Sequence, residues 1–212
     1  MDDEEKGRRT AIIDRLRVPL PHAGDTLFKA LDPRRDIKLR AGSLPPQHRC
    51  FAYQTGYMDA ADILVKHYDH RSPSTNFLVY PIVFLYRHHL ELILKDLIRD
   101  GEGLLREPFT HWNSHDLTRM WRPIRDIVKL VWPGASDGCL TVVDTCIGEM
   151  NAHDPRSDAW RYPVDKEGGA NLGALSRFDL PNLQDVMHRL CDFLDLVYEA
   201  VHQYREAQSS MY

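Results

Sequence analysis

The sequence predicts an all-α protein, a four- to five-helix up-down bundle with an irregular N-terminal extension. After residue 46, apolar residues recur at helical spacing, and the helical stretches end at glycine or proline signals. Before residue 47, prolines at five positions forbid one continuous helix. We therefore expect a basic, proline-punctuated extension over 1–46 and a helical domain over 47–208.

Composition places the chain among ordinary globular proteins. It has 212 residues, 43% of them hydrophobic, with 27 Lys plus Arg against 31 Asp plus Glu. These values exclude collagen-like, coiled-coil and wholly disordered classes, and the length suffices for one core. The first twenty residues are charged and no run of eighteen apolar residues occurs, so we expect a cytoplasmic protein without signal peptide or membrane span.

The cysteines and the charges add two expectations. Four cysteines without a C-x-x-C pair predict reduced, buried thiols at Cys50, Cys139, Cys146 and Cys191. Residues 6–49 carry 11 Lys or Arg and 4 Asp or Glu, whereas residues 50–212 carry 16 and 23. This asymmetry predicts a basic segment that meets an acidic partner, a phosphate backbone or the acidic body of the chain itself.

Start and stop signals place the first helices. A short helix is expected near 8–17. Apolar spacing over 47–70 predicts a long amphipathic helix, which stops at 71–73, where the chain reads Arg-Ser-Pro. The next helix is expected to begin at about residue 76 or 81 and to run through 100, with Gly101 as its C-cap.

Three further elements complete the bundle. A helix is expected to begin at Ser114, with Asp116 in its first turn, and to be kinked at Pro123. A fourth helical segment covers 136–152, and Pro181 begins the last helix. Between these two, we expect the segment 160–181 to form an ordered loop.

The core helix carries the main candidate site, the cluster Arg87-His88-His89-x-Glu91-x-x-x-Lys95. At about 100° per residue, Arg87, Glu91 and Lys95 share one face with His88 near it. One interpretation is an exposed face with i,i+4 ion pairs. Because the helix is otherwise very apolar, the charged row is expected to reach water, a partner subunit or a ligand.

Arginine beside histidine also fits an RNA-cleaving site, since histidine transfers protons near pH 7 and arginine stabilises phosphate charge. In that case Arg87 contacts the phosphate, His88 or His89 transfers the proton, and Glu91 orients the histidine. Substrate-binding roles are then predicted for Lys95, His115 and Arg161. For Arg161 the equal alternative is a structural clasp, in which Trp160 and Tyr162 anchor the loop and Arg161 pairs with an acidic residue.

Three stretches carry a resemblance to a known family: PIVFLYRHHLELILKDLI at 81–98, SHDLTRMW at 114–121 and WRYPVDKEGG at 160–169. Over roughly 50–205 the chain resembles the HEPN group of small all-helical domains of prokaryotic toxin-antitoxin and anti-phage systems. The resemblance implies a four-helix core, a homodimer, and a cognate antitoxin or defence protein as partner. In active members it implies metal-independent RNA cleavage at the cleft between protomers.

The family's active members use an R-x4-6-H motif on a helix. This sequence matches that spacing only outside the core helix, at Arg15 to His22, Arg17 to His22 and Arg106 to His111. The family's catalytic pair therefore cannot be transferred to this chain residue by residue. Two alternatives stay open: a non-catalytic interaction or dimerisation bundle, and a metal-dependent HD phosphohydrolase using His89, His115-Asp116 and Asp144. For the RNA-directed function we expect no metal and no cofactor.

Overall fold

The computed structural model describes most of the helical domain and a few residues before it: 23, 25–28, 34, 44–73, 75–105, 107–172, 175 and 177–210. The chain divides into two units, Met1–Leu39 and Arg40–Tyr212. In its described part, the second unit contains five α-helices: α1 (Pro46–His67), α2 (Val79–Asp100), α3 (Leu117–Val131), α4 (Asp137–His153) and α5 (Leu180–Ser209). The predicted all-α fold is confirmed. The helix expected near 8–17 lies outside the described residues.

Helix α2 is the centre of the bundle. Helices α1, α3 and α5 pack against it, and α4 packs mainly on α3. By length and composition alone, Asn76–Asp100 is long and apolar enough to span a membrane, but half of its most apolar window is buried inside the bundle. Its place in the fold is that of a core helix.

Side-chain caps begin three of the helices. The carboxylate of Asp116 accepts the Arg119 backbone N–H at 3.0 Å, so Asp116 is the cap of α3 and the helix begins later than the predicted start at Ser114. Ser114 instead accepts the Asp116 backbone N–H through its Oγ at 3.1 Å. Ser136 caps α4 as Asp116 caps α3, and Asp179 caps α5. Each cap satisfies a backbone donor that would otherwise lack a partner in the first helical turn.

Gly101 ends α2 as predicted, but for a different physical reason. Its φ is −85°, outside the left-handed region that favours glycine. A Cβ at this position would lie 2.6 Å from Ile127 Cδ1 and 3.1 Å from the Leu97 carbonyl oxygen. Any larger residue at this position would therefore force the end of the Ile127 side chain to move away from the end of α2.

The described residues between α4 and α5 form a loop, as expected. A single antiparallel bridge joins Val164 to Ala170, and Gly168 makes the turn with φ 85°. The carboxylate of Asp165 accepts the backbone N–H groups of Glu167 and Gly169 at 3.0 and 2.7 Å. These bonds hold the loop that follows Tyr162.

All four cysteines are free thiols, but the expectation that all are buried was wrong. Cys191 is buried, and Cys50 and Cys146 are half-buried. Cys139 is exposed because it lies in the first turn of α4, the helix that packs mainly on α3.

Candidate functional site

A network of charged groups on α2 brings together segments that are far apart in sequence. Arg87 is 0% exposed and donates three hydrogen bonds. Its Nη1 binds Glu91 Oε2 at 2.9 Å, its Nη2 binds the carbonyl of His115 at 2.7 Å, and its Nε binds the carbonyl of Asp154 at 2.9 Å. The Asp154 carboxylate also lies 3.3 Å from Arg87 Nε. We call Arg87, Glu91, Lys95, His115 and Asp154 the buried network.

Glu91 is the acceptor at the centre of this network and is only 2% exposed. Its Oε1 accepts Lys95 Nζ at 2.8 Å and His115 Nδ1 at 2.9 Å. Burial raises the pKa of the Glu91 carboxyl, but the bonds and charges of Lys95, Arg87 and His115 outweigh burial and hold it below its ordinary value. Glu91 is therefore ionised at neutral pH. Besides the His115 ring, the network contains two cations, Arg87 and Lys95, and two carboxyl groups, those of Glu91 and Asp154.

The ring of His115 is the part of the network that meets solvent, with its side chain 49% exposed. A carboxylate only accepts hydrogen bonds, so Nδ1 donates to Glu91 and the neutral ring keeps Nε2 as an acceptor. Within the described part of the chain, Nε2 has no hydrogen-bond partner. Glu91 therefore orients the His115 ring through Nδ1, and Nε2 stays available to a ligand.

The expectation that the charged row of α2 must reach water, a partner or a ligand was wrong for Arg87 and Glu91. The turn before α3 and the residue after α4 cover both side chains and supply their partners. Arg87 is buried and fully engaged, so in this conformation it is not placed to contact a phosphate. Its observed role is to hold His115 and Asp154 in position.

Sequence analysis missed Asp154, which is fully buried. Its Oδ1 accepts the backbone N–H groups of Asp158 at 2.8 Å and Ala159 at 3.0 Å. It also anchors a turn in which Ser157 adopts a left-handed φ of 61°. An aspartate six residues before Trp160 was the available signal, but nothing in the sequence paired it with Arg87.

His88 lies beside the network. Its ring stacks on Phe84, with centroids 5.7 Å apart, and meets the Tyr57 ring edge-on at 4.5 Å. Burial lowers the pKa of His88, and the nearby charges of Arg87 and Lys95 lower it further, against an opposing effect of Glu91. At neutral pH this ring is uncharged.

His89 is separate from the network. Its Nδ1 lies 2.8 Å from the Gln54 carbonyl oxygen, which only accepts, so Nδ1 carries the proton. Its Nε2, 3.2 Å from Cys191 Sγ, then accepts from the thiol. Burial lowers the pKa of His89 and raises the pKa of Cys191 to about 12, which keeps both groups neutral. This is the arrangement of a core histidine, so its predicted role in proton transfer has no structural basis.

Arg161 is exposed and lies on the loop that Asp154 anchors. Its Nε donates to the Ser157 carbonyl at 2.6 Å. The guanidinium carbon lies 5.6 Å from the Phe84 ring centroid and 5.4 Å from that of Tyr162. Among the described residues no carboxylate pairs with Arg161, so the acidic partner required by the clasp interpretation is not found there.

Comparison with known proteins adds no family. No family model matches the chain, and no curated protein or solved structure matches it either. Within the structure, Arg87 and Glu91 of the stretch 81–98 contact His115 of the stretch 114–121, whereas Arg161 of the stretch 160–169 contacts Phe84.

The residues of the HD phosphohydrolase alternative do not come together. Asp144 accepts Trp121 Nε1 at 2.6 Å, whereas Asp116 caps α3 and His89 contacts Cys191. In the part of the chain that the structure describes, no three His, Cys, Asp or Glu side chains are placed to hold a metal ion. This arrangement provides no metal site of the HD type.

An apolar groove of about 420 Å³ lies between α4 and α5, and no residue of the buried network lines it. Val142, Met150, Phe178 and Leu183 contribute to its walls. None of the seven predicted site residues lines it. The groove therefore adds nothing to the chemistry of the network.

Acid is expected to destabilise the protein as pH falls below about 6.5, the ordinary value for histidine. Because the folded pKa values of His88 and His89 are lowered, the unfolded chain binds protons that the folded chain excludes, so stability is lost with falling pH. The slope is at most about 1.4 kcal/mol per pH unit for each histidine. Denaturant unfolding between pH 7.5 and 5.5 measures it.

The matched comparison uses His89→Gln and the exposed His67→Gln, which lies in the last turn of α1. We expect His89→Gln to reduce the slope of unfolding free energy against pH, and His67→Gln to keep the wild-type slope. Equal slopes in wild type and His89→Gln would contradict the assignment of His89 as a neutral core histidine.

Proposed function

We propose that this chain acts on RNA as a metal-independent endoribonuclease of the HEPN-like type, with His115 as the proton-transfer group. One observation carries the proposal: His115 Nδ1 lies 2.9 Å from the buried Glu91 carboxylate, while the side chain is 49% exposed and Nε2 has no hydrogen-bond partner in the described chain. Lys95 shares that carboxylate at 2.8 Å and brings a cation beside the ring. An oriented imidazole next to a cation suits acid–base chemistry on a phosphate ester.

In the proposed reaction, His115 Nε2 takes the proton of a ribose 2′-hydroxyl. The 2′-oxygen then forms a bond to the adjacent phosphorus, and the bond from phosphorus to the 5′-oxygen breaks. The products are a 2′,3′-cyclic phosphate and a 5′-hydroxyl. Glu91 compensates the charge that the ring gains, and Lys95 compensates the negative phosphate. In a homodimer, the imidazolium of the second copy supplies the proton for the 5′-oxygen.

The sequence resemblance also supports the wider setting of the proposal. On that basis we propose a protein of the prokaryotic cytoplasm that serves toxin-antitoxin or anti-phage defence. The RNA lies in a cleft between two protomers, and a cognate antitoxin or other defence protein is the partner.

His115→Ala is expected to reduce RNA cleavage by about 10²- to 10⁴-fold, the usual contribution of a positioned general acid or base. Cleavage by the wild type is expected to persist in EDTA and to leave 2′,3′-cyclic phosphate ends. Fluorescently labelled RNA and end-group analysis measure both. The matched control is His70→Ala, an exposed histidine after α1, which should cleave like wild type.

Wild-type rates in a folded His115→Ala variant would refute the assignment of His115. Lys95→Met provides a second test that does not touch the imidazole, and it is expected to raise KM for RNA. Arg87→Ala is a poor probe of catalysis, because Arg87 is buried and its loss also disturbs the fold.

A second candidate function is a non-catalytic interaction or dimerisation bundle. The observation that favours it is the complete burial of Arg87, whose three donor nitrogens all bind groups of the same chain. Under this alternative the buried network is structural. A dimer by light scattering, with neither RNA cleavage nor RNA binding, would favour the interaction bundle.

A further inference from the structure

A row of rings leads away from the buried network toward the surface. His88, whose pKa responds to Glu91, Lys95 and His115, stacks on Phe84 at an interplanar angle of 14°. The Arg161 guanidinium lies near Phe84 at 5.6 Å and near Tyr162 at 5.4 Å. We call Phe84, Arg161 and Tyr162 the stacking row.

The outer end of the row is exposed, but its backbone is held firmly. Tyr162 is 56% exposed. Its backbone N–H donates to the Asp158 carbonyl at 3.0 Å, and its carbonyl accepts Asn171 Nδ2 at 2.8 Å. A tyrosine has few rotatable bonds, so a ring on a fixed backbone loses little entropy when a ligand covers it.

Arg161 keeps donors available beside these rings. Its Nε is used by the Ser157 carbonyl, while its terminal nitrogens make no hydrogen bond to the described part of the chain. The exposed ring of Tyr162 offers a flat face to a base, and the Arg161 guanidinium beside it offers donors to a phosphate. The row thus combines the two kinds of contact by which proteins hold single-stranded nucleic acid.

We propose that Phe84, Arg161 and Tyr162 bind an unpaired nucleobase beside the bond at which His115 acts, so that single-stranded RNA is the substrate. This inference rests on the proposed function. Bases in a duplex are already stacked on each other and cannot cover the row, whereas the bases of loops and single strands are free to do so.

The test measures binding of short RNAs by the His115→Ala chain, which holds substrate without cutting it. Tyr162→Ala is expected to weaken binding of a single-stranded oligonucleotide about tenfold, and Tyr162→Phe to retain it. The matched control is Tyr53→Ala on α1, a ring of similar exposure (54%) outside the row, which should bind like the parent. A duplex of the same sequence is expected to bind at least tenfold more weakly.

A series of oligonucleotides with one abasic position near the cut site locates the base. At one position, removing the base should weaken binding as much as Tyr162→Ala does. The Tyr162→Ala variant should bind that abasic RNA no more weakly than it binds the intact RNA. If wild type cuts RNA through His115 but Tyr162→Ala binds like Tyr53→Ala, or duplex binds as well as single strand, the stacking row is refuted and the proposed function stands. If wild type neither cuts nor binds RNA, both are refuted.

Discussion

Glu91→Ala is expected to lower the free energy of unfolding by about 3–5 kcal/mol, the range for breaking a buried ion pair from one side. Arg87 would remain buried at 0% exposure without its partner at 2.9 Å, and the Lys95 and His115 bonds would be lost with it. Denaturant unfolding at pH 7.5 measures the change. Such a loss is a large share of the 5–15 kcal/mol that stabilises an ordinary domain.

The matched control removes the three buried charges of the network. Arg87→Met with Glu91→Ala and Asp154→Asn also neutralises the carboxylate 3.3 Å from Arg87 Nε, so the triple variant is expected to be more stable than Glu91→Ala alone. The pair Arg99 and Asp96 supplies an exposed comparison on the same helix, where Asp96→Ala is expected to change stability by less than about 1 kcal/mol. An equally small effect of Glu91→Ala would show that the buried network does not hold the bundle together.

Asp154→Ala is expected to destabilise the protein by about 2–4 kcal/mol, because two backbone donors lose their acceptor at a fully buried position. The effect should concentrate in the loop that carries Arg161 and Tyr162. Hydrogen exchange is the measurement: the amides of Asp158 and Ala159 are expected to lose protection in the variant, while the amides of α2 change less.

Asp154→Asn separates the two roles of this side chain. An amide oxygen still accepts the backbone N–H groups, but it removes the negative charge 3.3 Å from Arg87. We therefore expect Asp154→Asn to keep the hydrogen-exchange protection of the Asp158 amide. Its only loss of stability should come from the missing negative charge beside Arg87. Asp158→Ala, which removes a surface ion pair with Arg156, is the control and should alter stability by less than about 1 kcal/mol. Normal protection at Asp158 in Asp154→Ala would contradict the anchoring role.

The helices were predictable because their signals are local. The first long helix was expected over 47–70 and is observed at Pro46–His67, and the helical segment expected over 136–152 is observed at Asp137–His153. The third helix was expected to begin at Ser114, and its cap is Asp116, two residues later. A cap requires only a side chain and the backbone N–H three residues later, and helical periodicity extends over adjacent turns. Gly101 was placed correctly, but the reason for it, the approach of Ile127, comes from another helix.

The candidate site was predictable only in part. The periodicity of α2 put Arg87, Glu91 and Lys95 on one face, as observed through their i,i+4 pairs. His88 and His89 were not separated by the sequence, although adjacent residues on a helix point about 100° apart. In the fold, His88 lies beside the charges and His89 turns toward Cys191.

Local sequence signals are enough to predict that this chain forms helices, where most of them begin and end, and which charges share a face of α2. The burial of Arg87 and Glu91, the exposure of His115 and the place of Asp154 beside them follow from how distant segments pack. The partners of Arg87 come from 28 and 67 residues further along the chain. Helical periodicity reports the direction of a side chain, whereas burial and hydrogen bonding depend on the distant segment that packs over it.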